Sequence, residues 1–174
     1  MKLSPRAKLL LIIVGFALPV VASYLAYYFA LPLSLAALYL VGASHEADRF
    51  WTVVLLACYA SCSTLPFIQL RPPRLLKEQG APAVGSSKVR AFNLWILSRG
   101  SIHANTFPSA HVAITTAGAL VLLNLGPLWV GLVFLWVALS IALGAVAGRY
   151  HYAADSILGV LLAGVAFLAG IAVT

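Results

Sequence analysis

The sequence predicts an all-α fold: a polytopic membrane helix bundle with six transmembrane helices and one short interfacial helix in its long loop. Three observations carry that expectation. Of the 174 residues, 63% are hydrophobic and only 9% are charged, against about 25% charged in a soluble domain. The deficit runs along the whole chain, so one membrane-embedded domain is expected over 1–174. A crossing helix needs roughly 20 apolar residues, so six use about 120 and leave room for a single sizeable loop.

The start, "MKLSPRAKLLLIIVGFALPVV", has the charged flank of a signal peptide. The apolar run nevertheless continues to about residue 44, which favours a retained first helix over a cleaved one. Residues 9–44 exceed one crossing, and Pro19 with the "ALPLS" break at 30–34 divides them into two helices joined by a tight turn. After the polar "HEADR" (45–49) comes a third helix, roughly 50–70. The long polar segment, 71 to about 107, contains "RPPRLLKEQGAPAVGSSK", whose Pro, Gly and Ser mark irregular structure. Within it, "VRAFNLWILSRG" spaces its apolar residues as a short amphipathic helix at the interface. A fourth helix begins near Ser109 and reaches about Leu125, a fifth covers 127–147 and a sixth 153–172.

This order puts the end of helix three, the start of helix four and the gap between helices five and six on one membrane face. Lys2, Arg6 and Lys8 favour a cytoplasmic N-terminus. Six crossings then place that face outside the cytoplasm, with the inner membrane of a cell the expected location. The basic residues of 71–107 vote the other way, unless they serve a ligand.

Net charge is +7. Seven of the eleven basic residues (Arg71, Arg74, Lys77, Lys88, Arg90, Arg99 and Arg149) fall in the two polar segments between late helices. On a membrane protein such a cluster meets phosphate, as lipid headgroup or as substrate, rather than nucleic acid. Cys58 and Cys62 share a helix face as small packing residues. No set of metal ligands accompanies them, so neither a metal nor another cofactor is expected.

Three polar knots interrupt the apolar sequence on the shared face. In "RYHYAAD", His151 and Asp155 are four apart at the start of a helix, stacked on one side of it. The carboxylate then accepts a proton from one imidazole nitrogen and leaves the other as nucleophile or base. A structural His–Asp pair capping the helix has the same spacing, and the residues alone leave both readings open. In "NTFPSAH", Pro108 suits a first helical turn. That sets Ser109 and His111 beside outward-facing N–H groups, an anion cradle or an ordinary cap. In "LRPPR", Arg71 and Arg74 suit bidentate phosphate contact or simple snorkelling to headgroups. Together the pieces fit a phosphate ester. His151 attacks phosphorus in line and His111 protonates the leaving alkoxide. Water then cleaves the phosphohistidine, while arginines and backbone amides stabilise the equatorial oxygens. His45 lies on the opposite face and reads as structural. His103 and Asn105 stand near the site, to position substrate or to satisfy the loop backbone.

"FPSAH" resembles the Pro-Ser-Gly-His block of the type 2 phosphatidic acid phosphatase superfamily, and "HYAAD" matches the His-x-x-x-Asp of its last block. The resemblance covers the core from about helix three to helix six and fits a divergent bacterial-type member. It implies a six-helix membrane bundle acting on lipid phosphates at an extracytoplasmic site. His151 would be the nucleophile, Asp155 its partner, His111 the general acid and Ser109 a phosphate ligand. The chain departs from the pattern at three places. Ala145 stands where the last block has Arg, Thr64 where the first block has Lys before Arg71-Pro72, and Ala110 where the middle block has Gly. Arg149, one turn on from Ala145 if the helix continues, is the expected substitute clamp, and Arg74 or Lys77 replaces the missing Lys.

The expected function is metal-independent hydrolysis of a lipid-linked phosphate monoester or diphosphate, with the substrate and membrane lipids as partners. Two alternatives stay open on the sequence: transfer of the phosphoryl-bearing group to an alcohol, and a catalytically degenerate lipid-binding or transport protein.

Overall fold

A computed structural model describes residues 27–73, 91, 95, 98, 99 and 105–173. Five helices run through them: α1 (Tyr27–Leu40), α2 (Ala47–Cys62), α3 (Ala110–Leu125), α4 (Leu128–Ala147) and α5 (Ala153–Val173). A 3-10 turn, Ser44–Glu46, leads into α2. Among the described residues no strand forms; Leu70 and Asn105 make a single antiparallel bridge. The all-α expectation therefore holds. α4 and α5 are long and apolar enough to cross a membrane, and α1 and α3 are shorter apolar helices. A crossing before α1 falls outside the described residues. In the segment expected as the interfacial helix, Ala91, Trp95, Ser98 and Arg99 are helical, with the Arg99 guanidinium 4.2 Å over the Trp95 ring.

Two expected boundaries are corrected. The break at 30–34 is absent: α1 passes through Pro32 without interruption. A membrane helix tolerates the donor that proline removes where neighbouring helices support it, and Leu31, Leu35 and Leu38 pack into the core. The helix expected at 50–70 ends at Cys62. Pro66 is the cause, because its ring collides with the carbonyl four residues back, that of Cys62. The Ser63 and Thr64 hydroxyls bond to the Ala60 and Ser61 carbonyls instead and close the last turn. Irregular backbone then carries the chain to Leu70, where the Asn105 N–H reaches its carbonyl at 2.8 Å.

α1 and α4 end in the same way, with one difference. After α1, Gly42 (φ 81°) donates to the Tyr39 carbonyl and Ala43 to that of Leu38. This is the paired-bond helix stop that a left-handed residue makes possible. After α4, Arg149 donates to Val146 and Tyr150 to Ala145. Here the left-handed position (φ 60°) is held by an arginine rather than a glycine. α4 therefore does not continue past Ala147. The premise that Arg149 shares the face of Ala145 on a continuous helix is overturned.

α3 is the centre of the bundle and packs on α2, α4 and α5. It is buried nearly all round, with Val112, Ala113, Ala117, Ala119, Val121 and Leu122 wholly enclosed. Small residues let the neighbouring backbones close in. A side chain at Gly131 would lie 2.5 Å from the Leu123 Cα, and one at Gly159 would lie 2.9 Å from the Ser109 carbonyl oxygen. The outward faces of α4 and α5 are apolar, with Trp129, Leu143, Leu161, Val165 and Leu168 exposed. Such faces fit lipid contact rather than water.

Candidate active site

The site is assembled where α2 ends and α3 and α5 begin. α5 starts at Ala153, so Asp155 occupies its first turn, where the helix dipole favours a carboxylate. Asp155 is 1% exposed. Its Oδ2 accepts the Tyr152 N–H at 3.1 Å and lies 3.3 Å from His151 Nδ1. The first contact is the backward half of a capping box; the second orients the imidazole. Asp155 thus does both things that its spacing left open. With the Nδ1 proton directed at the carboxylate, Nε2 presents its lone pair. His151 itself is 4% exposed and held by its own N–H on the Ala145 carbonyl.

α3 brings the second histidine. Thr106 Oγ1 accepts the Ala110 N–H at 3.0 Å and so caps the first turn. The Ser109 N–H donates to the backbone carbonyl of Asp155 at 3.0 Å, tying the start of α3 to the start of α5. His111 follows one residue into the helix, and its ring lies 5.8 Å from that of His151, centroid to centroid. Near-attack contacts are about 3–3.5 Å and hydrogen-bond reach is about 3 Å. Ring centres 5.8 Å apart bring both imidazoles within such reach of one bound group. The Ser109 hydroxyl is fully buried and has no hydrogen-bond partner among the described residues. Buried hydroxyls are ordinarily satisfied, so one left open at a helix start is ready for a ligand oxygen.

The cationic residues divide. Arg71 is exposed, and its backbone carbonyl accepts the Tyr152 hydroxyl at 3.3 Å, which fixes the end of the α2 segment against the His151 turn. Arg149 is half-buried in that turn, two residues before His151. Arg74 and Lys77 lie outside the described residues, as does His103. Ala145 is buried against the bundle, and its carbonyl takes two N–H groups of the turn. Asn105 resolves toward backbone support: its amide donates to the Tyr150 carbonyl while its own N–H pairs with Leu70. His45 stands at the other end of α2, 3.7 Å from the Glu46 carboxylate.

One neighbour was invisible in the sequence. The Tyr27 ring of α1 lies 4.2 Å from that of His111, tilted by 57°. A tyrosine within an apolar run has no motif around it, so only the folded chain reveals that contact. Thr106 carried a readable signal, a hydroxyl four residues before the first helical N–H.

Residues 12–169 match the PAP2 superfamily. The chain belongs to that superfamily. PAP2 members are generally phosphatases, and the match extends that broad expectation to this chain. No curated protein and no solved structure matches the chain.

Proposed function

We propose that this PAP2 protein is an integral membrane phosphatase that hydrolyses a lipid-linked phosphate monoester or diphosphate through a phosphohistidine at His151. The observation that carries the reading is the pair of imidazoles 5.8 Å apart with the buried Asp155 carboxylate 3.3 Å from His151. That carboxylate marks His151 as the nucleophile and leaves His111 as the acid. Nε2 of His151 attacks phosphorus and the bond to the leaving oxygen breaks. His111 gives that oxygen its proton. Water then attacks the phosphohistidine, returns a proton to His111, and releases inorganic phosphate and free His151. Asp155 stabilises the positive charge that His151 acquires on attack.

Ser109, Arg71 and Arg149 hold the equatorial oxygens in this scheme, joined by Arg74 and Lys77. Every role is filled by a side chain, so the reaction is proposed to need no metal. The start of α3, the end of the α2 segment and the turn between α4 and α5 form one end of the bundle, which we place at the extracytoplasmic face of an inner membrane.

The test is phosphate release from detergent-solubilised full-length protein on phosphatidate, phosphatidylglycerol phosphate and polyprenyl diphosphate. The parent should release phosphate from at least one, and His151→Ala should fall to background. Equal release by both proteins would remove His151 from the nucleophile's role, and no release by the parent would end the phosphatase reading.

A further inference from the structure

The contact between Tyr27 and His111 has a chemical consequence for the proposed acid. A general acid must hold its proton until the leaving oxygen needs it. His111 is partly buried, and its nearest titratable neighbour across the site is another imidazole, which becomes cationic as it attacks phosphorus. The face of an aromatic ring attracts a cation within about 6 Å of its centroid through its quadrupole. Tyr27 stands inside that range at 4.2 Å. Its own ring is steadied by an edge contact with Tyr28 at 5.2 Å, and it packs against the core while Tyr28 faces outward.

We propose that Tyr27 is a positioning residue for phosphoryl transfer: its ring orients His111 and favours the protonated imidazole that donates to the leaving oxygen. The inference rests on the reading of His111 as the general acid. It gives α1 a part in the chemistry although that helix places no residue of either recognised motif in the site. The ring rather than the hydroxyl is the active feature, so phenylalanine should substitute and an aliphatic residue should not.

Protonation matters only when the leaving group is a poor one. An alkoxide or a phosphate leaving from a lipid needs the proton, whereas p-nitrophenolate departs without it. The experiment therefore compares the parent, Tyr27→Phe and Tyr27→Leu on two substrates: whichever of the three lipid phosphates the parent cleaves fastest, and p-nitrophenyl phosphate. Tyr27→Leu should lose roughly tenfold in kcat on the lipid with KM little changed, and should keep the parent's burst rate of p-nitrophenolate release, which reports the phosphorylation step alone. Tyr27→Phe should match the parent on both. Parent-like lipid turnover by Tyr27→Leu would overturn the proposal. So would an equal loss on both substrates, which indicates packing alone, or a loss in Tyr27→Phe like that in Tyr27→Leu, which indicates the hydroxyl. Failure of the phosphatase reading has a different signature, namely a parent that releases no phosphate or that His151→Ala equals.

Discussion

Replacing Arg149 by glycine should separate the two things this residue does. Its backbone occupies the left-handed region at φ 60°, a conformation that costs an L-residue with a side chain about 1–2 kcal/mol and glycine almost nothing. Glycine also gives the unfolded chain more freedom, which takes back about 0.4–1 kcal/mol. The net expectation for Arg149→Gly is a gain of roughly 0.5–1 kcal/mol, or about 1–4 °C in Tm for a chain of this size. Gly42 shows that the same two-bond helix stop accepts glycine readily. Catalysis should move in the other direction. A charge-assisted hydrogen bond to phosphate is worth about 1.5–3 kcal/mol, so kcat/KM should fall about ten- to a hundredfold. Arg149→Ala provides the control, with the same loss of activity and no gain in stability. Thermal unfolding in detergent and phosphate release measure the two effects on one preparation. A glycine variant that melts below the parent would refute the argument from strain, because contacts of the arginine side chain would then outweigh it. Unchanged kcat/KM would refute the phosphate clamp.

Asp155→Asn retains an acceptor for the Tyr152 N–H but loses the charge that fixes the His151 tautomer. Phosphate release should drop about a hundred- to ten-thousandfold while Tm falls by only a few degrees, as seen by activity and melting in parallel. Gly159→Ala places a methyl group 2.9 Å from the Ser109 carbonyl oxygen and 3.1 Å from the Val112 Cβ. Overpacking of that kind costs about 1–3 kcal/mol; the start of α3 should shift from α5, lowering both Tm and kcat. Dialysis against EDTA should leave phosphate release unchanged if side chains alone carry the reaction, and restoration of lost activity by a divalent cation would contradict that.

The legible parts of the site were those written contiguously. "FPSAH" and "HYAAD" each fix several side chains through one helix start, so spacing along the sequence translated directly into geometry. The helices after them were equally readable, because Gly126-Pro127 and the "GRYHY" knot separate long apolar runs: the expected 127–147 and 153–172 stand beside the observed Leu128–Ala147 and Ala153–Val173. Less was readable where a single residue overrides a pattern. Hydropathy alone extended α2 across Thr64 and Leu65, whereas Pro66 acts backward on Cys62. Pro32 marks a break by its residue type, yet packing around α1 holds the helix intact. Helical periodicity sets Arg149 on the face of Ala145 and cannot anticipate a left-handed arginine two residues past the helix end. Tyr27 and His111 are far apart in sequence, and nothing local to either records their meeting.

The bond from the Ser109 N–H to the Asp155 carbonyl joins the start of α3, beside His111, to the start of α5, beside His151, through backbone atoms alone. No replacement except proline can delete it. The spacing of the two imidazoles is thereby tied to the peptide framework rather than to any side chain.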